Sequence, residues 1–244
     1  MISLDDLLDH TPLLHDGRTI TWTIHPDLAR LLDQHLKPGQ VTLETGSGLS
    51  TLIFLLKSPT RHIAIQPCQD EFVAIKEFCG GNGIATGAFE GVIACSQEYL
   101  PGAQLPSLDL VLIDGDHSFP VPFIDWYFTC EHLKVGGIMI VDDVHILTGM
   151  ILADFMRNDM KWEELFRHKT GRFALYRKLS HPICDGDNWQ GQGYLNKFYP
   201  AKAINVVKHI PPAFTERMAA NWMPWRVQAW LRGQIGWPRT GLNL

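Results

Sequence analysis

From Val41 onward, short apolar segments of strand length alternate with longer segments that have the apolar spacing of helices. The strand-like segments lie near residues 41–45, 62–66, 91–95, 108–113 and 137–142, and the helical ones near 50–57, 69–79, 120–133 and 146–159. This alternation is typical of βαβ units joined into a mostly parallel sheet. The stretch from Trp162 to Leu179 is interrupted by residues 168–172 and predicts a closing antiparallel hairpin. The chain is therefore predicted to have an α/β fold.

The periodic pattern ends near residue 180, and we place a domain boundary there. Residues 1–180 are predicted to form the main domain, in which residues 1–40 are a preamble with a helix from Pro26 to Leu36. Residues 181–244 lack periodicity and are rich in Trp and Pro. An extension of this kind packs over the core, forms a homodimer interface or contacts a membrane surface, and the sequence leaves these alternatives open.

The composition excludes several classes of protein. The formal net charge of −5 argues against a nucleic-acid partner bound through a general basic surface. No apolar run approaches the ~18–20 residues of a membrane span, and the acidic residues 1–6 do not resemble a signal peptide. The five cysteines are scattered without a Cys-x-x-Cys pair, which favours reduced thiols. We therefore expect a cytoplasmic protein without a transmembrane segment.

Acidic clusters follow two of the predicted strands. Asp114-Gly115-Asp116-His117 comes after one apolar run, and Asp142-Asp143 comes after the next. Because ligands of open α/β sheets bind at the carboxyl ends of the strands, these acids are expected to meet there. They would repel each other unless a positive charge lay between them, and carboxylate oxygens favour a hard divalent cation. The competing interpretation is solvated loop acids that cap the following helices.

A glycine loop joins the first strand to its helix. Its sequence, Glu44-Thr45-Gly46-Ser47-Gly48-Leu49-Ser50, allows a tight turn and close approach of the backbone to a ligand. Glu44 can meet a cationic group such as the amino group of a methionine moiety. The second strand ends at Gln66, where nucleotide sites of this architecture usually have an acid that binds the ribose hydroxyls.

Four segments occur in order along the chain: Leu43–Ser50, Cys95–Pro101, Leu108–Asp114 and Gly136–Asp143. Together they resemble the class I S-adenosylmethionine-dependent methyltransferases. More narrowly, they are similar to the metal-dependent catechol-type O-methyltransferases and related small bacterial methyltransferases, over roughly residues 20–180. The resemblance implies a Rossmann-like, seven-stranded, mostly parallel sheet with a C-terminal antiparallel hairpin strand and helices on both faces.

The resemblance also implies the roles of individual residues. The predicted contacts of S-adenosylmethionine are Glu44, Gly46, Ser47, Gly48, Ser50, Gln66, Ser96, Gln97 and Asp114. The predicted ligands of a divalent metal, Mg²⁺ by preference, are Asp114, Asp142 and Asp143; the catechol enzymes have asparagine at the last of these positions. His117 falls where those enzymes place a lysine that takes the substrate proton, so Asp114 and His117 are the predicted catalytic residues.

His117 also has an argument of its own. An unperturbed imidazole has a pKa of about 6.5 and is a usable base at neutral pH. The alternative is a loop histidine with no proton role. His145, just after the paired acids, is a further candidate for a contact near the substrate.

The predicted function is transfer of a methyl group from S-adenosylmethionine to a small-molecule hydroxyl, assisted by a divalent metal. The acceptor could be a phenol, a sugar or a small secondary metabolite. Gln66 and the long extension also fit a catalytically weak or inactive methyltransferase-like protein that acts as a binding or scaffold partner. A nicotinamide-dependent oxidoreductase is disfavoured, because Ser50 stands where a dinucleotide-binding loop has its third glycine. The paired acids Asp142 and Asp143 also argue against it.

Overall fold

The structure is a computed structural model that describes residues 2–15 and 23–181. The predicted C-terminal extension lies outside the described residues, apart from His181. The three alternatives for that extension, which are packing over the core, a homodimer interface and contact with a membrane surface, therefore stay predictions. Within the described ranges, no helix is long and apolar enough to cross a membrane.

Among the described residues, two helices precede the sheet. α1 spans Leu4–Asp9 and begins with a capping box between Ser3 and Asp6. α2 spans Pro26–His35, with proline at its first position, where a missing N–H costs nothing. The His25 ring nitrogen Nδ1 accepts a hydrogen bond from the Asp27 N–H at 3.1 Å and caps this helix. The helix expected from Pro26 is thus confirmed.

Seven strands form one mixed sheet in the order β3-β2-β1-β4-β5-β7-β6. Their bounds are β1 Val41–Thr45, β2 Arg61–Ile65, β3 Phe89–Val92, β4 Leu108–Ile113, β5 Leu133–Asp142, β6 Trp162–Arg167 and β7 Phe173–Lys178. The strands β1 to β5 run parallel to one another, whereas β7 is antiparallel to both β5 and β6. The predicted mostly parallel sheet with a C-terminal antiparallel hairpin is confirmed.

Helices connect the parallel strands. Their bounds are α3 Leu49–Leu56, α4 Gln69–Asn82, α5 Ser96–Tyr99, α6 Val121–Cys130 and α7 Leu147–Asn158, and a 3₁₀ turn at Leu100–Gly102 follows α5. β4 is buried on both faces, because its side chains alternate between two core clusters. Leu110 and Leu112 pack in the cluster that contains α1 to α4. Val111 and Ile113 pack in the cluster that contains α6 and α7.

The structure corrects some predicted boundaries. β3 begins at Phe89 rather than near residue 91, because Phe89 already pairs with His62 and packs edge-on against Phe72. After Val92 the chain turns, so that Cys95 precedes the short helix α5, which the sequence did not predict. β5 begins at Leu133 rather than near residue 137, so α6 is shorter than predicted. The helix α1 was likewise missed, since only its Leu7 is buried.

Candidate functional site

A cleft of about 570 Å³ lies at the carboxyl ends of the parallel strands. The loops after β1, β2, β4 and β5 line it, together with residues near the start of α5. The N-terminal segment contributes His15 and residues 23–25, and the β6–β7 hairpin contributes Arg172. This is the edge of the sheet at which the sequence placed its acids and its glycine loop.

The glycine loop closes tightly onto the end of β4. Gly46 has a φ of +92°, which L side chains rarely adopt, and a Cβ there would collide with the backbone oxygen of Asp114. The Gly46 N–H donates to the Ile65 carbonyl at 2.9 Å, and the Asp114 N–H donates to the Thr45 carbonyl at 3.1 Å. The loop therefore joins the ends of three neighbouring strands. Gly46 and Ser47 line the cleft.

Glu44 lies behind the loop and not on the cleft wall. Its side chain is fully buried, and its Oε1 accepts hydrogen bonds from Thr51 Oγ1 at 2.5 Å and His62 Nε2 at 3.1 Å. Its other oxygen has no hydrogen-bond partner among the described residues. The charge of Glu44 still acts on the cleft, where it helps to raise the pKa of Asp114 after burial and the nearer carboxylates.

Asp114 and Asp142 bring two carboxyl groups together at neighbouring strand ends. Burial, and then the carboxylates of Asp142, Asp143 and Glu44, hold the pKa of Asp114 well above its usual range. Burial also raises the pKa of Asp142 to about 6, although one of its oxygens accepts the Asp143 N–H at 2.8 Å. Two interacting carboxyl groups that line the same cleft favour a proton or a cation between them.

Asp143 faces a different set of partners. Its Oδ2 lies 3.0 Å from His117 Nε2, and its Oδ1 lies 3.4 Å from His145 Nδ1 and 3.8 Å from Arg172 Nη2. Burial would raise the pKa of Asp143, but His117, His145 and Arg172 lower it. The hydrogen bond to Asp143 in turn raises the pKa of His117. The result is a carboxylate–imidazole pair beside the Asp114–Asp142 pair.

The remaining predicted cofactor residues divide into two groups. Gln66, Ser96 and Gln97 line the cleft, as do Asp114, Gly46 and Ser47. Gly48 and Ser50 do not, because the chain turns there into α3 and Ser50 is buried. Their predicted contact with the cofactor, like that of Glu44, stays a prediction.

Sequence reasoning missed the cleft residues His15 and Arg172. Arg172 lies in the hairpin and carries a positive charge to Asp143 and to His145, whose Nε2 is 3.2 Å from its Nη1. His15 comes from the N-terminal segment and lies over the glycine loop, where a Cβ on Gly48 would be 2.9 Å from its Nε2. No sequence signal singles out Arg172, because it lies in the turn between β6 and β7 and its partners Asp143 and His145 are distant along the chain.

A group outside the predicted set also has spacing suited to a metal ion. Ligand atoms of His25, Asp27 and His168 all lie within 4.8 Å of one another. Among the described residues, the ligand atoms of Asp114, Asp142 and Asp143 do not meet this spacing. Asp27 Oδ2 lies 3.2 Å from His168 Nε2. His25 Nδ1, however, already accepts the Asp27 N–H as the cap of α2, so its lone pair is engaged. The simpler role of this group is to hold α2 against the hairpin.

Residues 43–144 match a protein-family model described as a methyltransferase domain. No curated protein shows significant similarity to the chain.

Solved structures share its fold at low identity. Cofactor-bound Rv0187 from MTB is 17% identical with a TM-score of 0.55, over 72% of this chain and 95% of that one. The O-methyltransferase TomG from Streptomyces achromogenes, solved with S-adenosylmethionine, is 15% identical with a TM-score of 0.54, over 66% and 83%. A methyltransferase from Geobacter sulfurreducens is 14% identical with a TM-score of 0.55, over 65% and 82%. The chain therefore shares the fold of these solved structures, and its residues 43–144 are similar to a methyltransferase domain.

Proposed function

We propose that the protein transfers a methyl group from S-adenosylmethionine to a hydroxyl group of a small molecule, with a divalent cation bound by Asp114 and Asp142. The observation that carries this proposal is the pair of interacting carboxyl groups at the ends of β4 and β5, inside the cleft and beside His117. TomG, which shares the fold, is an O-methyltransferase. The proposal gives each side of the cleft a separate task.

One side of the cleft suits the cofactor. Ser47, Gln66, Ser96 and Gln97 offer hydroxyl and amide groups to a nucleoside, and the glycine loop brings backbone close to it. S-adenosylmethionine supplies a methyl group made electrophilic by its positive sulfur. Glu44, buried behind the glycine loop, gives this side a negative potential that favours such a cationic ligand.

The other side of the cleft suits proton transfer from the acceptor. A cation held by Asp114 and Asp142 would lower the pKa of the acceptor hydroxyl. His117 accepts the hydroxyl proton as the oxygen forms its bond to the methyl carbon, and the bond from that carbon to sulfur breaks. Asp143 stabilises the imidazolium that results, since it already contacts His117 Nε2 at 3.0 Å. The predicted role of Asp143 as a third metal ligand remains a proposal of the same kind.

Calorimetry and a methyl-transfer assay test the proposal together. S-adenosylhomocysteine should bind the purified chain, and labelled methyl transfer to a panel of phenols, sugars and other hydroxyl compounds should require Mg²⁺ or Mn²⁺. A protein that binds neither S-adenosylhomocysteine nor S-adenosylmethionine would contradict the proposal. Transfer that persists undiminished in excess chelator would remove its metal.

A double variant in which Asp114 and Asp142 are both replaced by asparagine tests the metal role most directly. Asp114→Asn together with Asp142→Asn should abolish turnover and its dependence on metal, because neutral amides hold a divalent cation poorly. The Kd for S-adenosylhomocysteine should change far less than turnover, because the contacts with Gln66, Ser96 and Gln97 remain and the amide at residue 114 keeps an acceptor oxygen. Asp9→Asn with Glu131→Gln removes two exposed acids elsewhere and is the matched control. Full activity in the Asp114 and Asp142 double variant would refute the metal role.

A further inference from the structure

Gln66 occupies the position at the end of β2 where an acid usually accepts hydrogen bonds from the ribose hydroxyls. A carboxamide has no charge and only one acceptor oxygen, so on its own it is a weaker partner for two hydroxyl donors. Gln66 nevertheless lines the cleft, and its backbone N–H is fixed by the Val92 carbonyl at 3.0 Å. What its side chain does depends on its neighbours.

The neighbour of the Gln66 side chain is a carboxylate five residues further on. Gln66 Nε2 donates to Glu71 Oε2 at 2.7 Å. Because an ionised carboxylate can only accept, this contact fixes which end of the amide faces Glu71. The amide oxygen of Gln66 is then the end left to accept a hydrogen bond from a ligand.

Glu71 lies in the first turn of α4 and is 6% exposed. Besides Gln66, its Oε2 accepts from Ser47 Oγ at 3.1 Å, and its Oε1 lies 3.1 Å from His15 Nδ1. Burial would raise the pKa of Glu71, but hydrogen bonds from His15, Gln66 and Ser47 lower it, and the helix N-terminus favours the same charge. Glu71 is therefore an ionised carboxylate whose three partners all line the cleft, although it does not line the cleft itself.

We propose that Gln66 and Glu71 act as one ribose-binding unit, in which Gln66 contacts the ribose hydroxyls and Glu71 is the positioning residue behind it. The negative charge that the usual pattern places at residue 66 is supplied here from α4. It polarises the Gln66 amide and holds its oxygen toward the ligand, while Ser47 and His15 keep the carboxylate in place. This inference rests on the proposed function, because it assumes a nucleoside cofactor in the cleft.

An exchange of the two side chains tests the unit, with the Kd for S-adenosylhomocysteine measured by calorimetry on the full chain. Gln66→Glu alone would set two carboxylates against each other at the 2.7 Å contact and should weaken binding by about 10-fold or more. Glu71→Gln alone removes the charge and should weaken binding by about 3- to 10-fold. The double exchange restores one acid and one amide and should bind within about 3-fold of the wild type.

The same exchange on the exposed face of α4, Gln69→Glu with Glu77→Gln, is the matched control and should leave the Kd unchanged. A second readout is specific to the ribose: the ratio of the Kd for the 2′-deoxyribose analogue to the Kd for S-adenosylhomocysteine. We expect this ratio to fall in Glu71→Gln and to recover in the double exchange, which a general loss of folding would not produce.

The inference is overturned if the double exchange binds no better than the worse single variant, or if Gln66→Glu alone binds more tightly than the wild type. In either case the wild type still binds the cofactor and the proposed function stands. If the wild-type chain binds neither S-adenosylhomocysteine nor S-adenosylmethionine, the proposed function fails and the ribose-binding unit fails with it.

Discussion

His117 and Asp143 form the contact on which the proposed proton transfer depends. The sequence placed both residues in the cleft but assigned Asp143 to the metal, whereas the structure sets its carboxylate 3.0 Å from the His117 ring. A pairwise contact of this kind depends on side-chain rotamers and on the turn at Asp143, whose φ is +49°. Neither can be inferred from the order of residues along the chain.

Removal of the His117 imidazole should lower turnover without weakening the binding of the cofactor. His117→Ala is expected to lower turnover by about 10²-fold or more, the usual contribution of a general base. The Kd for S-adenosylhomocysteine should stay near the wild-type value, because the cofactor contacts proposed here involve other residues. His10→Ala, at an exposed histidine after α1, is the control. An unchanged turnover number in His117→Ala would leave this residue without a proton role.

At the scale of elements, α6 presents an unusual buried acid to the underside of the site. Asp125 is fully buried, and neither of its oxygens has a well-formed hydrogen bond to the described residues. Burial raises the pKa of Asp125 to about 6, although the nearby Ser96 and Thr45 hydroxyls lower it in part. α6 itself is held at its C-terminal end by the buried Lys178, whose Nζ donates to the carbonyls of Cys130 and Leu133.

The raised pKa of Asp125 has a defined effect on stability. The folded state binds its proton more tightly than the unfolded chain, where the pKa is about 3.9. The associated stability is fully present below pH ~4 and is lost as the pH rises through about 6. Asp125→Asn should therefore be more stable than the wild type above pH 6, by up to about 3 kcal/mol, and equally stable near pH 4.

Urea unfolding of both proteins at pH 4 and pH 8 measures this difference. Since the other acids are common to both proteins, their titration cancels in the comparison. A stabilisation of the same size at both pH values would show that Asp125 is not the group responsible.

The elements that the sequence predicted well are those whose signal is local. Apolar runs such as Leu108–Ile113 are buried on both faces and therefore show their length directly. Asp114 and Asp142 follow from the same reasoning, because parallel strands end at one edge. Glu71 could not be predicted as part of the site, since along the chain it is only an acid in the first turn of a helix. Its partners His15 and Ser47 reach it through the fold.

At the scale of the whole molecule, acidic side chains are concentrated at one edge of the sheet. A chain with a net charge of −5 gathers several of its carboxylates at one sheet edge, around a cleft of about 570 Å³. Such a cleft attracts cationic ligands, and both proposed occupants, the sulfonium cofactor and the divalent metal, are cations. In the proposal, the cofactor lies against the glycine loop and the Gln66–Glu71 pair. The metal lies at the Asp114–Asp142 pair on the other side of the same cleft.

A crystal structure of the full chain with S-adenosylhomocysteine and Mn²⁺ tests this account most directly. The account predicts nucleoside density against Gln66, Ser96 and Gln97, together with an anomalous manganese peak between the carboxylates of Asp114 and Asp142. Bound S-adenosylhomocysteine with no anomalous peak at that pair would contradict the metal-assisted mechanism. A cleft that excludes the nucleoside would contradict the proposed function as a whole.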